Sequence, residues 1–435
     1  MATSRDDRDE LAEIRRLARP IAGPSDFDPL IDRIGEARFV LIGEASHGTS
    51  AFYRWRADLS RRLISEEGFS FVAVEGDWPD CYQVNRWVKG STDHHTPKEV
   101  LKQFHRWPMW MWANQEVAEF VQWLREHNRA SGRSVGFYGL DVYSLWESLD
   151  RIIRYLRDAR PDDLESAMDA FRCFEPYGED PQSYAWVNRM VPDDCEDEVV
   201  GLLVEIHQGG SDATDAEAEF DARQNAEVIA GAERYYRTMV RANGESWNVR
   251  DLHMADTLDR LIKHHGDDAK AIVWEHNTHV GDARATDMRR AGMVSIGQVV
   301  RERHGDDAVV LVGFGTHRGR VVAASGWGDP LEVFEVPPAR EGTHEDLLHN
   351  GAPEQSLLVF PMTRDGPWLS ARRGHRAIGV VYQPELESRR NWVPTIMGLR
   401  YDAFIYLDET EALRPLRTLV SADTAAIPIP GALSV

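Results

Sequence analysis

The sequence predicts an α/β fold, a mainly parallel sheet with helices on both faces and a helical insertion forming a lid or subdomain. Three observations carry this reading. Five short apolar runs rich in Val, Ile and Phe read as buried parallel-type strands. Helical sequence separates them. From about Asp150 to His265 the pattern is helical and acidic, with no strand-like run. The expected division is 1–149 for the first part of the core, 150–266 for the insertion and 267–435 for the second part of the core.

The first strand is Arg38–Glu44 ("RFVLIGE"). The helix after it carries Phe52, Trp55, Leu59, Leu63 and Ile64 at helical spacing, with Gly68 as a stop. The second strand is Phe69–Asp77, and "NQEVAEFVQWLREHN" forms the helix before the third, Ser134–Asp141. The insertion contains "EDEVVGLLVEIHQ" and "NVRDLHMADTLDRLIKHHG". The fourth and fifth strands are Lys270–His279 and Ala308–His317. After Arg318 the short runs "RVVAA", "LEVFEV", "SLLVFP", "AIGVVY" and "DAFIYLD", broken by Gly and Pro, read as further strands of the same domain. The final "TAAIPIPGALSV" reads as a loose tail.

The chain has 435 residues and a formal charge of −22, from 50 basic and 72 acidic side chains. A phosphate backbone would be repelled, so neither nucleic acid nor an anionic membrane is expected as a partner; a small-molecule substrate is. Only Lys89, Lys98, Lys102, Lys263 and Lys270 are lysines. An acidic, lysine-poor surface suits a high-salt cytoplasm. Cys81, Cys173 and Cys195 are odd in number and widely spaced, which indicates neither a disulfide framework nor a thiolate zinc site. No signal peptide or membrane-spanning run is evident, so a cytoplasmic location is expected.

In open parallel sheets, ligands bind beyond the carboxyl ends of the strands. Here all five ends carry polar chemistry: Glu44 and His47; Glu75 and Asp77; Asp141; Glu275, His276 and His279; and His317. A single such end often merely caps a helix. Five together point to one crevice and to an enzyme. In "GEASHG", Ser46 reads as a turn or N-cap hydroxyl rather than a nucleophile. His47 has the intrinsic pKa of a water-activating base, and Glu44 the charge to orient it. His276 and His279 form a His-x-x-His pair. With Glu44, His47 and Glu75 they also make a candidate Zn²⁺ or Mn²⁺ set. "HEDLLH" is discounted, because five helical residues turn about 500° and leave its two His about 140° apart. One of Arg54, Arg56, Arg61 and Arg62 turned inward would serve an acidic crevice, and spacing does not choose among them. The run "RWPMWMW" reads as core or as an apolar pocket wall.

These motifs together resemble the erythromycin esterase family. The resemblance rests on "GEASHGT", "FVAVEGDWPDCYQVNRWV", "RWPMWMWANQEV", "GFYGLDVYSLWES", "SWNVRDLHMADTL", "WEHNTHVGDARATDM", "GQVVRERHG", "LVGFGT" and "NWVPT…RYDAFIYLDET". It implies an α/β core with a helical subdomain and a deep acidic cleft. It also implies hydrolysis of an ester or lactone by histidine-activated water, without a covalent intermediate and without a cofactor. Carried over, the base falls on His47, its carboxylate partner on Glu44 and the cleft arginine on Arg56. The further cleft residues fall on Glu75, His276 and His279. Asp77, Asp141, Glu275 and His317 are expected to line the substrate. The chain departs from the family at Ser50, where a bulkier polar residue is common, and at Glu275, where a small one is. The alternatives are a metal-dependent hydrolase on the same cluster and a non-catalytic protein holding a small molecule or haem.

Overall fold

The computed structural model describes residues 5–92, 94–177, 184, 194–208, 216–239 and 244–417. The segment "TAAIPIPGALSV" lies outside them. The strands are β1 (Ala18–Pro20), β2 (Phe39–Ile42), β3 (Phe71–Asp77), β4 (Gly136–Asp141), β5 (Ala271–Trp274), β6 (Val309–Ala324), β7 (Leu331–Val336), β8 (Gln355–Val359), β9 (Arg372–Arg376), β10 (Trp392–Ile396) and β11 (Ala403–Thr410). Nine of them form one sheet in the order β1-β8-β11-β6-β2-β5-β3-β4, with β7 paired to β6. From β11 to β4 every pairing is parallel, while β1, β8 and β7 pair antiparallel. β9 and β10 make a separate ribbon.

Alternation along the central strands decides which side each residue packs on. Val40, Ile42, Val72, Val74, Ile272, Trp274, Val310 and Val312 face one layer, with Leu59 and Leu63 of helix Ser50–Glu66 and Phe120 and Leu124 of helix Gln115–Ser131. Phe39, Leu41, Phe71, Ala73, Val273 and Leu311 face the other. There Met254, Leu258 and Leu261 of helix Glu245–His265, and Ile296 and Val300 of helix Ile296–His304, cover them. Strands buried on both faces need apolar residues at every position, which is why these runs show no polar alternation.

The helices between β4 and β5 gather a cluster of their own, including Leu149, Ile152, Phe174, Leu202 and Ile229. The last of them, Glu245–His265, instead packs on the sheet. The structure corrects the cysteine reading. Cys173, near the end of helix Leu164–Phe174, and Cys195, before helix Glu196–Gln208, form a disulfide with Cα atoms 5.9 Å apart. The contact is tertiary, made by two packed helices, and linear spacing does not reveal it. Cys81 is a buried free thiol.

Two of the late runs also behave differently from expectation. "RVVAA" is the second half of the 16-residue β6 and not a separate strand. "AIGVVY" makes only isolated bridges, from Ile378 to Ser46 and from Val381 to Ala324. Among the described residues no helix is long and apolar enough to cross a membrane.

Candidate active site

Register sets the level at which the chemistry begins. Ile42 lies opposite Trp274 and Val312, and Trp274 lies opposite Val74. The next residues, Gly43, Glu275 and Glu75, therefore stand side by side, the first two just past their strands and Glu75 within the last residues of β3. Asp141 ends the neighbouring strand, β4.

The turn after β2 is pinned by its backbone. Asn277 N–H donates to the Glu44 carbonyl (2.9 Å), Ile378 N–H to that of Ala45 (2.8 Å) and Val322 N–H to that of Gly48 (3.0 Å). Only glycine lets β6 approach so closely, since a Cβ on Gly48 would sit 1.8 Å from the Val322 carbonyl oxygen. Ser46 is buried and its hydroxyl pairs with that of Thr49, so it neither caps the helix that begins at Ser50 nor reaches His47 as a nucleophile.

His47 Nδ1 lies 2.8 Å from Glu44 Oε1, and Arg56 Nη2 donates to Glu44 Oε2 at 2.7 Å. Arg56 and Glu44 are 0% and 1% exposed, whereas Arg54 lies at the surface. Arg56 also stacks on the Tyr53 ring, 4.2 Å from its centroid. With the carboxylate accepting from Nδ1–H, His47 keeps a lone pair on Nε2.

His276 has the complementary arrangement. It caps the short helix Asn277–Val280, accepting the Thr278 N–H on Nδ1 at 3.3 Å, with the Thr278 hydroxyl 2.8 Å away. A nitrogen that accepts from a backbone N–H holds a lone pair, so the proton of the neutral ring is on Nε2. Burial, with His47 beside it, holds His276 well below the ordinary histidine range. Its Nε2 is buried and makes no hydrogen bond of normal geometry, although the Ala45 carbonyl pulls weakly towards the protonated form. The His47 and His276 ring centroids are 4.9 Å apart.

Glu75 sits between the two halves. Its Oε2 accepts the His276 backbone N–H at 2.9 Å and its Oε1 accepts from Arg250 at 2.7 Å. Burial pushes Glu75 up, but His279, Arg250 and His47 outweigh it and hold the carboxyl well below its usual range. His279 Nδ1 is 3.0 Å from both oxygens of Asp251, and Trp247 stacks on its ring at 4.5 Å. Burial lowers His279, while Asp251 and Glu75 more than compensate, so its net shift is upward.

The structure thus brings Glu44, His47, Arg56, Glu75, His276 and His279 together and links Asp141 to them through Arg250. Asp77 stands to one side, 2.9 Å from Arg106, and burial pushes its carboxyl up to about 8. Glu275 is 0% exposed, with no partner on either oxygen.

Residues 64–410 match the family model described as erythromycin esterase. The chain belongs to the erythromycin esterase family. Erythromycin esterase type II of Escherichia coli is 24% identical over 383 residues, covering 79% of this chain and 86% of that one. Two solved structures share the fold across nearly the whole chain. A succinoglycan biosynthesis protein has TM-score 0.78 and 21% identity, covering 95% of this chain and 100% of its own. A Bacillus cereus protein has TM-score 0.79 and 17% identity, covering 94% and 99%. An erythromycin esterase variant in an open conformation has TM-score 0.65 and 16% identity, covering 89% and 94%. Membership of the erythromycin esterase family supports an ester hydrolase.

In this erythromycin esterase family member His317 does not reach the cluster. The level of the site on β6 is Gly313, directly after Val312, and the strand runs on to Ala324. His317 stacks on His349 at 3.9 Å, and its carbonyl accepts from Arg376. Nor do the atoms proposed for a metal fit one. Glu44 is taken up by Arg56 and His47, and a guanidinium nitrogen lies 3.0 Å from His279 Nε2, where it would repel a cation. Among the described residues no group of three or more His, Cys, Asp or Glu is arranged to hold an ion.

Residue-by-residue reading of the sequence overlooked Arg250, Asp251 and Trp247, all on helix Glu245–His265. A signal was present. Asp251 lies three and four residues before Met254 and Ala255 and seven before Leu258, on the stripe that packs against the sheet.

Proposed function

We propose that the protein hydrolyses an ester or lactone of a small molecule in an acidic cleft at these strand ends, with His47 as general base. The observation that carries the reading is a pair of adjacent imidazoles whose Nδ1 atoms have complementary partners, a carboxylate at His47 and a backbone N–H at His276. His47 offers a lone pair on Nε2 and His276 an N–H on Nε2, with ring centroids 4.9 Å apart. A water held at His47 gives its proton to Nε2 while its oxygen bonds to the carbonyl carbon. The resulting oxyanion accepts from His276 Nε2–H. The imidazolium formed at His47 is stabilised by Glu44, 2.8 Å from its Nδ1, and by the fixed charge of Glu75. Collapse breaks the bond to the leaving oxygen, which takes the proton back from His47 and departs as the alcohol.

Arg56 Nη2, 2.7 Å from Oε2, pairs with the Glu44 carboxylate in a buried site. With Ser46 tied to Thr49, water is the nucleophile and no acyl-enzyme forms. The macrolide in the name of the Escherichia coli relative is not proposed as the physiological substrate. The test is a panel of aryl esters and lactones with wild type and His47→Ala. General-base loss is expected to lower kcat by roughly 10²–10⁴-fold, with the circular dichroism spectrum and Tm retained and no effect of chelator. Undiminished hydrolysis in His47→Ala removes the proposed base.

A further inference from the structure

We infer that Arg250 is a positioning residue of this site, and that its planar fork, more than its charge, fixes how Glu75 and His279 are presented. The inference rests on the hydrolase reading above and assigns a role to a residue outside the strand ends. Arg250 enters from helix Glu245–His265 and meets groups from three other elements. Nε donates to Asp141 Oδ1 at 2.9 Å and Nη2 to Asp141 Oδ2 at 2.7 Å, a two-point grip on the end of β4. Nη2 also donates to Glu75 Oε1 at 2.7 Å, at the end of β3, and Nη1 lies 3.0 Å from His279 Nε2. The side chain is 13% exposed, and the Tyr143 ring stands 5.0 Å from its guanidinium carbon.

Each contact has a consequence at the site. Arg250 has no acceptor, so its 3.0 Å contact with His279 Nε2 is a hydrogen bond only while that nitrogen holds a lone pair, whereas Glu75 Oε1, 3.5 Å from the same nitrogen, favours the protonated ring. In the neutral ring the proton is then on Nδ1, facing Asp251 at 3.0 Å on both oxygens. His279 is thus committed on both nitrogens, to two consecutive residues of one helix, and serves neither as a base nor as a metal ligand. Four carboxyl groups crowd this corner: Glu75, Asp141, Asp251 and Glu275. Arg250 faces them, and together with His279 it favours the ionised form of Glu75, whose Oε2 is turned to the His276 backbone. A lysine is a single point of charge and cannot grip both Asp141 oxygens while reaching Glu75 and His279.

The experiment uses the full chain as wild type, Arg250→Lys, Arg250→Gln, Asp141→Asn and Arg250→Lys/Asp141→Asn. On an ester that wild type cleaves, Arg250→Lys should lose kcat roughly 10–100-fold, the scale of a small misplacement, with KM little changed and no rescue relative to Arg250→Gln. Asp141→Asn should lose less, and the double variant no more than Arg250→Lys alone, because both act through one fork. Ring-¹⁵N NMR of histidine-labelled protein should show His279 as the Nδ1–H tautomer in wild type and a changed His279 signal in Arg250→Lys. Wild-type kcat in Arg250→Lys overturns the inference, as do multiplicative losses in the double variant or a His279 tautomer that does not change. If wild type cleaves no ester offered, the hydrolase reading fails, while the His279 signals still decide the role of Arg250.

Discussion

Replacing Glu275 by glutamine should change how stability responds to pH. The side chain is fully buried and neither oxygen has a partner. Burial, reinforced by the negative charges of Glu75 and Asp251, holds its carboxyl well above the ordinary range. An unfolded glutamate gives up its proton near about pH 4.3. Above that pH the unfolded chain has lost the proton while the folded chain keeps it. The unfolded state then binds one proton fewer, so stability falls as pH rises, by about 1.4 kcal/mol per unit until the folded pKa is passed. From pH 5 to 7 this is at most about 3 kcal/mol.

Glutamine removes the titration and leaves the shape. Its amide is also without partners, which adds a constant offset but no slope. An unfolding entropy of about 2.1 cal/mol/K per residue over 435 residues makes 1 kcal/mol about 1 °C in Tm. Calorimetry at pH 5, 6 and 7 should show the variant-minus-wild-type Tm rising by about 1–1.5 °C per unit. A difference that stays flat across this range refutes the reasoning.

Two further outcomes follow from packing and charge. Arg56→Met removes the guanidinium from Glu44 and leaves that buried carboxylate with His47 alone as partner; it should cost about 3–5 kcal/mol, read as a Tm drop that Glu44→Gln in the same chain partly restores. Gly48→Ala drives a Cβ to 1.8 Å from the Val322 carbonyl; overpacking of this kind costs about 1–3 kcal/mol or more, and hydrolysis should fall with it as the His47 turn shifts.

Much of this architecture was legible because parallel strands advertise themselves. The runs that carry Glu44, Glu75, Asp141 and Glu275 read as buried on both faces, and their order in the sheet places those residues side by side. His317 misled because apolar character alone does not tell where a strand stops, and β6 continues well beyond the level of the site. The choice among Arg54, Arg56, Arg61 and Arg62 was closed to spacing, and only the resemblance pointed to Arg56; the structure buries that residue against Glu44. Arg250 and Asp251 were hidden for the opposite reason. Charged residues on a helix are usually solvated, and what turns these inward is the packing of Met254, Ala255 and Leu258 into the apolar layer on the sheet. The Cys173–Cys195 link depends on how two helices meet, which no linear spacing encodes.

The strand order has a consequence for how the chain is made. β3 and β4 pair with each other soon after both emerge, but β2 pairs only with β5 and β6, which begin at Ala271 and Val309. At roughly 5–20 residues per second, the turn bearing Glu44 and His47 waits on the order of 10–50 s on the ribosome for its neighbour. When β5 arrives it slots between β2 and β3, and it brings His276 and His279 with it. Closing the sheet and completing the reactive centre are one event, so a nascent chain stalled before β5 is at once unfolded at its middle and inert. Such a chain would leave β2 unpaired on both sides and β3 on one, exposed to any chaperone or protease that meets them.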